Sequence, residues 1–251
     1  MTQQAMILAA GYGKRLQPLT KHTPKPLIRV GGKPLIVWHI ERLAQAGIQH
    51  IVINHSWLGE QIVDYLKDGS QWGVHLQYSA EPRPLETATG VKRALKLLHP
   101  EPFLLISSDI WCPWPAHKLK NIAQTLDGQR KKAHLLLVQN PKHHSSGDMF
   151  FTTPPLVNFQ SKRNETVSTK AKSTPPQTTY TYSGLAAVHP HLFAQCPTNE
   201  PLALRVPLSQ AMQTESISAT VIKEPWFDVG TIQRLEALQQ YLAQNAQEVM
   251  I

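Results

Sequence analysis

Long hydrophobic runs are missing from this 251-residue chain. The apolar stretches at 103–106 and 135–138 are strand-sized, well short of the ~20 residues that span a bilayer, so no membrane helix is expected. A charged leader is missing as well: Met1-Thr2-Gln3-Gln4 precedes an apolar run at 5–10 that leads into glycine-rich polar sequence and not into a cleavage site. No export signal is expected, and the expected location is the cytoplasm. Cysteine is scarce. Cys112 and Cys196 stand apart without metal-ligand or redox spacing, which argues against a disulfide framework and for free thiols. Acidic residues are also short, 17 against 25 Lys and Arg, which leaves a formal charge of +8. Such a balance suits an anionic partner: a phosphate ligand, a nucleic acid or an acidic membrane surface.

Where the cations sit narrows that choice. Lys14, Arg15, Lys21, Lys25, Arg29 and Lys33 crowd residues 14–33, beside a glycine loop. Lys162, Arg163, Lys170 and Lys172 fall in a Pro/Thr/Ser-rich stretch at 153–179, which reads as a polar surface insertion in a single domain over 1–251. This second set lacks the interleaved aromatic platforms of a nucleic-acid surface, so neither nucleic acid nor membrane is an expected partner.

Short β-like runs recur at 5–10, 51–53, 74–78, 103–106, 135–138, 181–188 and 217–222. Helical spacing of apolar residues lies between several of them, at Leu35, Ile36, Ile40 and Leu43, at Ile62, Tyr65 and Leu66, and at Val91, Ala94, Leu95 and Leu98. A last helix starts near Thr231, with Leu235, Leu238 and Leu242 on one face. Strands alternating with helices predict an α/β fold, a doubly wound, mostly parallel sheet covered on both faces. Ligands of such sheets bind at the carboxyl ends of the strands, which directs attention to the loops there.

The first such loop is Leu8-Ala9-Ala10-Gly11-Tyr12-Gly13-Lys14-Arg15-Leu16. Gly11 and Gly13 allow backbone N–H groups to surround a phosphate. The dinucleotide fingerprint fails at Leu16 and the Walker pattern is absent, so the loop alone reads equally as a turn. Downstream, Pro24 and Pro26 fix the backbone on either side of Lys25, which localises its ammonium at little further entropic cost. Arg15 adds a planar fork matched to phosphate oxygens. Asp109 follows the 103–106 run, and Asp228 lies in Trp226-Phe227-Asp228-Val229-Gly230-Thr231 before the last helix. Two aspartates with phosphate oxygens and waters suit magnesium, although each also reads as a turn or helix-start acid.

Leu8 to Leu16 with Pro18-Leu19-Thr20 and Pro24-Lys25-Pro26 resembles the signature of sugar-phosphate nucleotidyltransferases. The resemblance implies a Rossmann-like nucleotidyltransferase fold with a small sugar-binding β/α lobe. It implies binding of a nucleoside triphosphate by Ala10, Gly11, Gly13, Lys14, Glu81, Thr87 and Ser107, with Arg15 and Lys25 as catalytic cations at the α-phosphate. It further implies Asp109 and Asp228 as ligands of Mg²⁺, and Asn140, Asp148, Ser183 and Gly184 around a sugar 1-phosphate. Asn54-His55-Ser56-Trp57, Pro84-Leu85-Glu86-Thr87, Asn140-Pro141 and Tyr182-Ser183-Gly184 resemble the N-acetylmuramate 1-phosphate uridylyltransferases of cell-wall recycling. Guanylyltransferases for mannose or heptose phosphates share the Pro-Leu-x-Thr element, sometimes with alanine next, as at Ala88. A nucleotide-binding module without turnover is suggested by Ser108, where relatives usually carry glycine, and by Ala88 and Thr89. Retention of Arg15, Lys25, Asp109 and Asp228 counts against it.

Overall fold

In the computed structural model, which describes residues 4–160 and 178–245, the first apolar run forms β1 (Gln4–Leu8). The glycine loop follows, and then a two-residue antiparallel hairpin, β2 (Arg29–Val30) with β3 (Lys33–Pro34). Next come α1 (Leu35–Gln45), β4 (His50–His55), α2 (Gly59–Leu66), β5 (His75–Ala80), α3 (Glu86–Ala94) and β6 (Phe103–Ser107). The second half runs through β7 (Ile110–Trp111), α4 (Ala116–Ala123), β8 (Ala133–Val138), β9 (Met149–Phe151) and β10 (Val157–Phe159). It ends with β11 (Thr181–Val188), α5 (Arg205–Gln213), β12 (Ile217–Val221), β13 (Phe227–Asp228) and α6 (Ile232–Gln244).

Seven strands form one sheet in the order β12-β8-β11-β6-β1-β4-β5. β6, β1, β4 and β5 run parallel, as do β8 and β12, while β11 runs against both of its neighbours. Successive side chains of a strand point to opposite faces, and the apolar residues follow that rule. On β1, Ala5 and Ile7 join the core under α1, α2 and α4, and Met6 joins the core under α3 and α5. On β6, Leu104 and Ile106 take the first face and Phe103 and Leu105 the second. Burial on both faces is why these strands read as continuous apolar runs. This is the mostly parallel α/β architecture that the alternation predicts.

A third core decides where the active loops go. α6 returns to bury Leu235 and Leu238 against Leu16, Trp38, Trp111 and Val229. The turn before α6 is thereby held beside the glycine loop, at the carboxyl edge of β1 and β6.

Val157–Phe159 is a strand paired with β9, inside the stretch that reads from sequence as a polar insertion. Val157 is only 3% exposed, and Ala219 N–H donates to Pro155 O at 2.9 Å, so this part docks on the sheet edge. Residues 161–177, the rest of that stretch apart from its last two residues, lie outside the described residues. Among the described residues, no helix is long and apolar enough to cross a membrane.

Candidate active site

The strand ends open into a cleft of about 460 Å³, lined by Ala10, Gly11, Gly13, Lys14, Arg15, Lys25, Glu81, Thr87, Ser107 and Asp109. Gly13 is left-handed, at φ 64°. A side chain there would be strained, and its Cβ would meet Thr20 Cγ2 at 2.8 Å. Thr20 Oγ1 donates to Gly13 O at 2.9 Å and pins the loop. A Cβ at Gly11 would meet nothing within 4 Å, so glycine leaves that space to a ligand.

Glu81 reads from sequence as the flank of a base pocket. The structure shows a buried brace, 5% exposed, that also reaches the cleft wall. Its Oε1 accepts from Asn54 Nδ2 at 2.6 Å, and its Oε2 accepts from Leu85 N–H at 3.0 Å. Asn54 Oδ1 in turn accepts from Ala9 N–H at 3.0 Å, so one chain of bonds ties the glycine loop to the loop before α3. Gly90 makes room for it: a Cβ there would lie 2.6 Å from Glu81 Oε1. Glu81→Ala is expected to leave Asn54 Nδ2 and Leu85 N–H unsatisfied, at roughly 1–3 kcal/mol of stability. Both loops should loosen, so the KM for the triphosphate should rise more than kcat falls. Thermal melts with steady-state kinetics check this; unchanged stability would refute the brace.

Lys25 and Asp109 form an ion pair at 2.7 Å, with the lysine side chain 12% exposed and the aspartate 44%. Burial alone would push the Asp109 pKa up. The charge and hydrogen bond of Lys25, with smaller help from the residue's own backbone and His39, together hold the carboxyl below its ordinary range, so it is ionised at neutral pH. Arg15 is exposed and makes no hydrogen bond or ion pair among the described residues. Lys14 stands over the Tyr12 ring at 5.1 Å.

Asp228 reaches this place by pairing of two very short strands. It lies opposite Ile110 in the β7–β13 ladder, and Val229 N–H donates to Asp109 O at 2.7 Å. Its Oδ2 is bound by Arg234 Nη1. Its Oδ1 lies 3.1 Å from His143 Nε2, yet this buried oxygen accepts no hydrogen bond among the described residues.

Behind the acids, His39 is 1% exposed and donates Nε2–H to Ile110 O at 2.8 Å. Burial drives its pKa down to about 4, and does the same to His134. With an unfolded value near 6.5, the unfolded chain takes up protons that the folded chain refuses between pH 6.5 and 4. Stability is therefore full above about pH 6.5 and declines as pH falls, by roughly 3 kcal/mol at pH 4 for a fully buried ring. Urea titrations at pH 7 and 4.5 check this: His39→Gln should flatten the dependence, and an unaltered slope in that variant would refute it.

A second depression, about 430 Å³, adjoins the first and shares Arg15, Ser107 and Asp109 with it. Ser183, Gly184, His143, His144, Asp228 and Arg234 also line it. Gly184 sits at φ 83°, where β11 shifts register against β8, and a Cβ there would press on Ser107 Cβ at 2.9 Å. The Ser183 hydroxyl turns away to donate to Leu136 O at 2.7 Å. Asn140 and Asp148 stand behind this wall. Asn140 bonds Thr179 and Thr181, and Asp148 Oδ1 holds His144 at 3.0 Å while its Oδ2 accepts from Tyr182 N–H. Asn54 and Thr20 lie within motifs that gave them no role of their own, and His39 and Arg234 lie outside any motif. For Arg234 the available signal was a lone cation in the first turn of a helix with no acid there.

Loop, cations and paired acids at the carboxyl edge of one α/β sheet are the arrangement of a nucleotidyltransferase. The chain belongs to the nucleotidyl transferase family, whose model matches residues 4–245. It is 41% identical, over 94% of its length and 96% of the relative's, to an N-acetylmuramate alpha-1-phosphate uridylyltransferase of Neisseria meningitidis serogroup B. A mannose-1-phosphate guanylyltransferase catalytic subunit beta of Drosophila pseudoobscura pseudoobscura is 28% identical over 90% of this chain and 59% of that protein. Among solved structures, HddC of Yersinia pseudotuberculosis complexed with GMP-PN shares the fold, with a TM-score of 0.73 and 20% identity over 96% of this chain and 100% of that one.

Proposed function

We propose that the protein transfers a uridylyl group from UTP to N-acetylmuramate 1-phosphate, giving UDP-N-acetylmuramate and pyrophosphate in cytoplasmic cell-wall sugar recycling. The observation that carries this reading is the 41% identity to the Neisseria enzyme across nearly the whole of both chains.

In this reading the first cleft takes the triphosphate. Ala10, Gly11, Gly13 and Lys14 surround its phosphates, with Glu81, Thr87 and Ser107 on the nucleoside side. Gly184 and the His144 held by Asp148 face the sugar, Ser183 shapes the wall from behind, and Asn140 shapes the loop that carries His144. The sugar phosphate is already ionised at neutral pH, so one of its oxygens attacks the α-phosphorus without a general base. That P–O bond forms as the bond from the α-phosphorus to the bridging oxygen breaks, and pyrophosphate leaves with the electron pair. Arg15 and Lys25 offset the repulsion between the anions and keep attacking and leaving oxygens in line. Asp228 pairs with Ile110, the residue after Asp109, so the two carboxylates stand at one end of a short ladder; Asp228 Oδ1 accepts no hydrogen bond among the described residues, and hard oxygens of this kind fit Mg²⁺. When bound, the ion supplies further charge neutralisation at the phosphates.

A second reading keeps the chemistry with GTP and a mannose- or heptose-type phosphate, favoured by the 28% identity to the Drosophila protein and by Ala88 after Glu86-Thr87. Pyrophosphate release with magnesium, each of four NTPs and a panel of sugar 1-phosphates separates the two. UTP with N-acetylmuramate 1-phosphate should exceed every other pair at least by about tenfold, one pocket contact's worth of discrimination. Preference for GTP would select the second reading, and no release with any pair would leave a nucleotide-binding module.

A further inference from the structure

We infer that Arg234, together with Arg15, anchors the phosphate group of the sugar 1-phosphate in the second depression. This rests on the nucleotidyltransferase reading and assigns a residue within it.

Arg234 is the third residue of α6, and the first turn of that helix carries no acid. A cation at a helix N-terminus opposes the macrodipole, so its placement does nothing for the helix and strengthens the positive field at the rim. Its side chain is held for another purpose. Nε donates to Thr231 Oγ1 at 3.4 Å, Nη1 pairs with Asp228, and Nη2 makes no hydrogen bond among the described residues. The guanidinium is thus fixed at two corners with its third directed to Gly230. A Cβ at Gly230 would lie 2.5 Å from Arg234 Nη2 and 3.1 Å from Arg15 Nη2. The two forks therefore converge over Gly230, where a side chain would have to push one of them aside.

Both arginines line the second depression, and neither Arg15 nor Arg234 Nη2 has a hydrogen-bond partner among the described residues. Lys25, the other cation at the acids, is already taken by Asp109. Two converging planar forks with spare donors match the three oxygens of a phosphomonoester dianion, which accepts several charge-assisted bonds at once. The ordering entropy of Arg234 is already spent on Thr231 and Asp228, so little is lost when the anion arrives. The triphosphate occupies the other cleft, and loss of Arg234 should therefore separate the two substrates.

Arg234→Met and Arg234→Lys test the assignment by two readouts. In steady-state kinetics, Arg234→Met should raise the KM for N-acetylmuramate 1-phosphate by about 10–100-fold, the size expected for lost charged hydrogen bonds, with the KM for UTP within about twofold. Arg234→Lys, which keeps the charge without the fork, should recover part of the loss. Calorimetric titration of N-acetylmuramate 1-phosphate without nucleotide should show the same weakening, whereas N-acetylmuramate lacking the phosphate should distinguish wild type from variant by less than twofold. A purely structural Arg234 would lower the melting temperature and kcat while both KM values and the calorimetric affinity stayed level, and that result would overturn the proposal. Wild type that binds the sugar phosphate but releases no pyrophosphate would count against the enzymatic reading alone. Equal binding by wild type and Arg234→Met would count against Arg234 alone.

Discussion

Asp109→Asn and Asp228→Asn are each expected to lower kcat by about a thousandfold, the scale of losing one preorganised charge at a reacting phosphate. The substitution keeps shape, so the fold should persist: an amide oxygen at position 109 can still accept from Lys25, and backbone pairing of residue 228 with Ile110 does not involve the side chain. What disappears is the negative charge that makes a carboxylate a ligand for a hard dication. The two variants should differ in one respect. Asp109→Asn releases Lys25 from its counter-charge, so the KM for the triphosphate should stay level or fall. Asp228→Asn instead loosens Arg234 and should raise the KM for the sugar phosphate. Pyrophosphate release at saturating magnesium and thermal melts together check this. A kcat within tenfold of wild type in either variant, with the fold intact, would remove that carboxylate from the reaction.

The first cleft was easier to assemble from sequence because many of its lining residues are close in sequence and its strands are buried on both faces. Leu8 to Leu16 and the acid after β6 sit where apolar runs end in loops, while the roles of that loop and of Pro24-Lys25-Pro26 are what the family resemblance implies. The direction of β11 was not legible, since a continuous apolar strand gives no sign of whether its neighbours run with or against it. α4 buries Ala116, Leu119 and Ala123, a face too rich in alanine to register as an apolar stripe, and α5 carries Pro207 in its first turn. The meeting of Asp109 with Asp228 depends on β7 and β13, two residues each, which are below the length at which any period can be read. The inward turn of Glu81 was not legible either. Its loop is rich in proline and charge, and only the tertiary partners Asn54 and Gly90 turn the carboxylate inward. Sugar-side residues suffered most, because Asn140 and Asp148 are polar loop residues whose partners, Thr179, Thr181 and Tyr182, come from a distant strand and its approach.

Lys25→Met should reduce kcat by about 10²–10³-fold, again the worth of one preorganised cation in the transition state, with a small change in the KM for the triphosphate. The position is rigid. Pro24 and Pro26 are buried, Leu27 N–H donates to Pro24 O at 2.8 Å, and Ile28 N–H donates to Lys25 O at 3.1 Å, so methionine inherits the same backbone and much of the same path. The substitution therefore deletes charge and little else. A second consequence distinguishes this from a packing defect. Lys25 does most to hold the Asp109 carboxyl low against the upward push of burial, so its removal should raise the Asp109 pKa. Only the ionised carboxylate can serve, and the acid limb of the kcat profile should accordingly move to higher pH in Lys25→Met and stay near its wild-type position in Lys25→Arg. A lowered kcat with an unmoved acid limb would mean that Lys25 acts on the phosphates without governing Asp109. An unaltered kcat would mean that it does neither, and Arg15 would then be the one cation of the pair left to act at the α-phosphorus.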